Sequence, residues 1–239
     1  MQLDSTVLAA YESWCTASVN DPDPGFWGHW PRYYAEMPVK QDWVQAAAKR
    51  CQTAVVVIGR SAGEDRENTL KKGSFYLTNK EKALLDAVTT AFQKVVLVLN
   101  IGSIMDFAAI DAYGDKISAI LLAWQLGMES GNAVADVLTG QVNPSGRLTD
   151  TIAKTYADYP AQNFGNKAEN RYTEDIFVGY RYFETFAPER VLYPFGYGLS
   201  YTDFACKVKK TETKDQTVTV QVQVEMKLPF LRLRSTVCM

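Results

Sequence analysis

The chain has 239 residues, 47% hydrophobic and 22% charged, which suits a folded protein with one sizeable core and excludes a disordered polymer. A formal net charge of -2, with no segment that concentrates Lys or Arg, excludes a phosphate-tracking stripe and hence nucleic acid as a partner. Four cysteines without CxxC spacing and a single histidine, His29, leave a zinc site short of ligands. Residues 1–14 contain Asp4 and Glu12 and lack the basic-then-apolar pattern of a signal peptide, and no apolar run reaches the length of a membrane span. Reduced thiols and a cytoplasmic protein, or a fragment of a larger one, are expected.

Residues 1–19 place Leu3, Val7, Tyr11 and Trp14 at helical spacing and predict a short amphipathic helix. Residues 20–38 carry Pro22, Pro24, Pro31 and Pro38 among crowded aromatics, which reads as an ordered, aromatic-pinned loop and not as a linker. Three apolar runs follow at 53–59 (TAVVVIG), 94–100 (KVVLVLN) and 118–124 (SAILLAW). Each is apolar throughout, the pattern of a parallel strand covered on both faces. Between them, residues 78–92 predict a helix opened by a Thr78/Glu81 capping box, with Leu84, Leu85, Val88 and Phe92 as its apolar stripe. A second helix is expected at 129–139, with Ala133, Val134, Val137 and Leu138 inward and Gly140 as its stop. Repeated βα units of this kind build a mostly parallel sheet between helical layers, an α/β/α sandwich over about 40–199, with ligands beyond the carboxyl ends of the strands. Residues 1–39 form an N-terminal helix and aromatic arm. From Ser200 the pattern changes, and 218–224 (VTVQVQV) alternates as a half-buried antiparallel strand does. Residues 200–239 therefore read as the unfinished start of an antiparallel β-sandwich of fibronectin-III type, and the tail KLPFLRLRSTVCM, unlike either neighbour, as truncated or frame-shifted.

The loop after the first core strand, Gly59-Arg60-Ser61-Ala62-Gly63-Glu64-Asp65-Arg66-Glu67-Asn68, admits two chemical readings. GRSAG satisfies the G-x-S-x-G pattern of a serine nucleophile elbow. Ser61 would need a base, yet His29 precedes it in the chain, against the serine, acid, histidine order of that fold, and the charged stretch that follows is not a helix start. The second reading takes the carboxylates, Glu64 foremost: a partly buried glutamate over a strand end can keep its proton and act as the general acid of glycoside hydrolysis. Composition alone favours a solvated charged loop, and spacing does not decide between them.

Six stretches, in order, supply a further criterion: AVVVIGRSAGEDREN (54–68), GSFYLTNKEKALLDAV (73–88), VVLVLNIGSIMD (95–106), GMESGNAVADVLTGQVNPSGRLTDT (127–151), YTEDIFVGYRYFET (172–185) and RVLYPFGYGLSYTDF (190–204). Over about two thirds of the chain they resemble the C-terminal-type α/β domain of glycoside hydrolase family 3, the β-glucosidase-like enzymes. The GEDREN form is similar to a bacterial subgroup in which this domain precedes the barrel. The resemblance implies a retaining hydrolase of terminal β-linked sugars, with the acid/base glutamate at Glu64 and Glu67 as second candidate. Arg60, Asp65 and Arg66 would shape the substrate loop, an Asp65–Arg66 ion pair leaving Asp65 ionised and unfit as an acid. It implies no metal or organic cofactor, a small carbohydrate as substrate, and a TIM barrel as the partner that bears the nucleophile.

That nucleophile is expected to be absent here, because eight βα repeats need about 250 residues. Gln41-Asp42-Trp43 only superficially resembles the family's nucleophile motif, and Asp42 reads as a first-turn helix residue. The isolated chain is accordingly expected to be inactive. The remaining alternatives are a serine hydrolase using Ser61 and a non-catalytic carbohydrate-binding or interaction module. Trp27, Trp30, Tyr33 and Tyr34 read as packing within their own domain more readily than as a sugar platform, and Tyr180, Arg181 and Tyr182 as packing residues. Glu174 and Asp175 are carboxylates without an assigned role.

Overall fold

The computed structural model describes residues 3–17, 33–61, 68–163, 166, 168–227 and 236–238. In chain order the helices are α1 (Ser5–Thr16), α2 (Gln41–Arg50), α3 (Asn79–Ala91), α4 (Phe107–Asp111), α5 (Ser130–Thr139) and α6 (Tyr180–Phe186). The strands are β1 (Thr53–Arg60), β2 (Lys94–Ile101), β3 (Ala119–Leu122), β4 (Ile152–Ala153), β5 (Val191–Tyr193), β6 (Asp203–Lys214), β7 (Thr217–Lys227) and β8 (Thr236–Cys238).

The central sheet runs β1-β2-β3-β8, all parallel. Because side chains alternate along a strand, Leu97, Leu99, Ile101, Ile120 and Leu122 face one helical layer and Val98 and Leu121 the other. The first layer holds α2 and α3, which bury Val44, Leu85 and Val88. The capping box starts α3 as its sequence predicts: Thr78 Oγ1 accepts from the Glu81 amide at 3.1 Å, and Glu81 Oε2 accepts from the Thr78 amide at 2.7 Å. On the opposite layer α5 packs Val134, Val137 and Leu138 against Val98 and Leu121, and stops at Gly140, whose φ of 76° a side chain would strain.

One expectation is corrected. β1 is not covered on both faces: Val56, Ile58 and Arg60 are buried, whereas Val55 and Val57 are 41% and 53% exposed. β1 is an edge strand, and α5 packs on Val98 of β2 and Leu121 of β3, so an apolar run here does not signify two-sided cover. The helix predicted within residues 1–19 is present as α1, with Leu3, Val7 and Tyr11 exposed and Trp14 half-buried. That helix is held by polar contacts, Asp4 Oδ1 capping the Thr6 and Val7 amides and Asp4 pairing with Arg50 at 2.7 Å.

Beyond α5, the backbone of Leu148 exchanges hydrogen bonds with Tyr197 and Gly196, each 2.8 Å, tying the PFGYGLSY segment to the sheet domain. Gly198 sits so close that a Cβ there would lie 2.7 Å from the Gly146 carbonyl, and Asn143 bonds Ser200 and the Tyr201 amide. The NPSG turn and the glycine-aromatic block thus interlock. Tyr182 packs on Phe183 and Phe186, and Tyr180 stacks on Phe195 at 4.5 Å, contacts that do not reach the strands of the central sheet. β6 and β7 form a two-stranded antiparallel hairpin, and β8 joins β3 in place of the hairpin, with Ala119 opposite Thr236 and Leu121 opposite Cys238. Among the described residues no helix is long and apolar enough to cross a membrane.

Candidate active-site edge

The register of the parallel strands, Arg60 opposite Ile101 and Leu99 opposite Leu122, brings their carboxyl ends to one edge. This is where ligands gather in open α/β sheets. Glu64, Asp65, Arg66 and Glu67 belong to 62–67, outside the described residues, as do Trp27, His29 and Trp30. The two feet of their loop are described, and each is fixed.

The outgoing foot is Arg60, the last residue of β1 and only 6% exposed. Its guanidinium forks onto Glu81 of α3, Nη1 to Oε1 and Nη2 to Oε2 at 2.7 Å, while Nη1 also donates to the Gly59 carbonyl at 2.9 Å. Glu81, 1% exposed, is therefore shared between the guanidinium and the capping box. Arg60 Nε is buried and has no acceptor among the described residues. The Tyr33 ring lies 5.5 Å from the guanidinium carbon and fills the space above Gly73, where a Cβ would come within 2.0 Å of the ring. Tyr33 thus packs on Arg60 and Gly73 while its outer side stays in solvent, and Tyr34 is exposed.

The returning foot is Asn68. Its Nδ2 donates to the Ile104 carbonyl at 2.5 Å and its Oδ1 accepts from Ser103 Oγ at 3.1 Å. Next to it Ser74 Oγ accepts from the Thr69 amide at 2.9 Å, and the Asp106 amide donates to the Phe75 carbonyl at 2.8 Å. Phe75 and Met105 are buried at this junction, so the loops after β1 and β2 are laced together.

Glu36, half-buried, adds a third charge to this corner. Burial, and next the Glu81 carboxylate, push its carboxyl above the usual glutamate range, against the opposing pull of Arg60 and Lys80. The loop after β3 offers different chemistry: an apolar cleft of about 300 Å³ bounded by Leu122, Trp124, Leu126, Val134 and Val137, with Arg147 and Thr149 as its polar lining. Trp124 closes that strand end at a φ of 55°.

Other candidates take structural places. Asp42 lies in the first turn of α2, its Oδ1 accepting from the Trp43 amide at 3.0 Å. Glu174 and Asp175 belong to a turn closed by the Phe177 amide on the Glu174 carbonyl at 2.8 Å. Among the described residues the first helix after Ser61 begins at Asn79, which does not favour an elbow at Ser61. Among the described residues, too, no three His, Cys, Asp or Glu side chains converge as metal ligands. Sequence reasoning gave Glu81 only its capping role and missed the ion pair and the Asn68 anchor. One signal was present: an arginine closing a buried strand needs a carboxylate nearby.

Residues 16–201 match the family described as "Glycosyl hydrolase family 3 C-terminal domain". The chain is 45% identical over 218 residues to a β-glucosidase of Ruminococcus albus, covering 91% of this chain and 23% of that protein. An exo-α-(1→6)-L-arabinopyranosidase of Bifidobacterium longum is 35% identical over 186 residues, 76% of this chain and 24% of that protein. Among solved structures, a β-glucosidase from Paenibacillus barengoltzii superposes with a TM-score of 0.85 at 42% identity, over 94% of this chain and 25% of the other. β-Glucosidase 3B from Thermotoga neapolitana in complex with glucose gives 0.75 at 34% identity, over 93% of this chain and 31% of the other. The chain thus spans about a quarter of the length of its curated relatives, and it belongs to glycoside hydrolase family 3, whose C-terminal α/β domain it carries.

Proposed function

We propose that this chain supplies the acid/base loop of a retaining hydrolase acting on terminal β-linked sugars, with Glu64 as general acid and then base. The barrel implied by the family resemblance provides the nucleophile, so the 239-residue chain alone has no covalent step and is inactive. The observation that carries the reading is the double anchoring of the loop: Arg60 on Glu81 and Asn68 on the β2–α4 connection hold both feet of 61–68 at the carboxyl edge of the sheet. A catalytic carboxyl needs such a frame, because its reach and protonation depend on a fixed position. The reading requires no cofactor. The sugar itself is left open by relatives named for glucosides and for an arabinopyranoside.

The test places the whole chain in the Ruminococcus albus β-glucosidase in exchange for the matching segment. The chimera is expected to hydrolyse an aryl β-glucoside. Glu64→Gln should lower kcat by about 10²–10⁴ for a poor leaving group and much less for a good one. Azide should restore turnover as the glycosyl azide, since that nucleophile needs no base. Retained hydrolysis in Glu64→Gln, or the same loss in Glu67→Gln alone, would transfer the role elsewhere. Ester turnover abolished by Ser61→Ala would favour the serine-hydrolase alternative.

A further inference from the structure

We infer that the β6–β7 hairpin is a self-association surface: two copies of the chain pack the apolar faces of their hairpins together as a four-stranded, two-layer sandwich. The inference is independent of the acid/base reading.

The register sets Phe204 opposite Met226, Val208 opposite Val222 and Thr213 opposite Val218, all on one face of the ribbon. No charged residue interrupts that face. The other face carries Lys207, Lys210 and Glu212 opposite Gln223, Gln221 and Thr219. The ribbon is thus sorted into a wet face and an apolar one, as each layer of a β-sandwich is. Phe204, Met226 and the five valines of the apolar face are 47–60% exposed. Exposure of that degree leaves about 600–700 Å² of apolar side chain in water on each copy. Monomeric proteins rarely leave so large an apolar patch open. Counted on two copies, the same area reaches the lower end of the roughly 1,200–2,000 Å² buried in specific interfaces.

A second copy fits this face because the face complements itself. Its apolar rows extend on both sides of the Val208–Val222 pair, so a two-fold axis there lays apolar rows on apolar rows and closes the assembly at two chains. Pairing along the open strand edge is the competing mode. It is opposed on β6 by Lys207, Lys209, Lys210 and Lys214 and by the bulge between Val208 and Lys210.

Sedimentation of the 239-residue chain tests this. Between about 1 and 100 µM the species should pass from one chain of 26.7 kDa to twice that mass, with a Kd on the order of micromolar. Val220→Lys charges the apolar face and should leave the chain monomeric throughout. Thr219→Lys adds the same charge one residue earlier on the wet face, opposite Glu212, and should dimerise as the parent does. Cys206 lies on the apolar face opposite Val224, so its alkylation by iodoacetamide should slow about five- to tenfold over that concentration range, whereas Cys15 on α1 keeps its rate. Dimers in Val220→Lys, monomers in Thr219→Lys, or an unchanged Cys206 rate would overturn the inference. So would a parent that stays monomeric, whether it binds a hydrophobic dye, leaving the face open, or does not, its own chain covering it. Species that grow beyond two chains would point to edge pairing and overturn it as well.

Discussion

Arg60 stands where a strand becomes a loop, with one carboxylate bonded to it and a second, Glu36, close enough to feel both. The two acids divide the work: Glu81 stays paired, and Glu36 carries the cost of a second negative charge in a half-buried corner. Because the Glu36 carboxyl is raised, the folded chain binds that proton more tightly than the unfolded chain does. Its contribution to stability is complete below the ordinary glutamate value of about 4.3 and is lost as pH rises through the raised value. Glu36→Gln is therefore expected to make the chain more resistant to urea at pH 7 and to flatten the decline in stability above about pH 4.3. Urea melts at a series of pH values would show it, and an unchanged slope would count against the assignment. Position 36 had no sequence signal, since a lone glutamate near a proline-rich arm looks like any solvated charge. The loop glutamates could be singled out only through resemblance, because a charged hexapeptide has the same composition whether it is a catalytic loop or a solvated turn.

Among the elements, α3 is the one whose sequence and structure agree most closely, and the reason is local. Its start is fixed by Thr78 and Glu81 within one turn, and its buried face by Leu85 and Val88 at helical spacing. Thr78→Ala removes the acceptor for the Glu81 amide, leaving the Glu81 carboxylate on the Thr78 amide and on Arg60. A loss of about 1 kcal/mol is expected, measurable as a fall of about 2–4 °C in the thermal midpoint. The effect should be smaller than that of breaking the ion pair, since a half-cap remains. β1 shows the opposite case. Its unbroken apolar run is compatible with one covered face or two, and in the fold α5 packs on β2 and β3 while Val55 and Val57 stay exposed.

At the scale of the whole molecule, the β6–β7 hairpin carries a row of exposed apolar side chains. Val218, Val220, Val222, Val224 and Met226 alternate along β7 with polar residues, and Val208 and Phe204 stand opposite Val222 and Met226 across the ladder. A lone two-stranded ribbon with an open apolar face is marginal in water and prone to pair with other chains. Val222→Lys is expected to reduce binding of a hydrophobic dye such as ANS, and self-association seen by sedimentation, with far-UV circular dichroism unchanged. Equal dye binding in parent and variant would show that the face is covered. The sequence by itself determined the βα alternation, the capping box, the glycine stop of α5 and the family, because each is written in residues near one another in the chain or in ordered motifs. Only the tertiary structure decided which face of β1 is bare, that Arg60 is neutralised by Glu81, that Asn68 ties the loop to β2, and that residues 236–238 join the central sheet. Those contacts link segments far apart in sequence, where burial and charge balance depend on which surfaces meet.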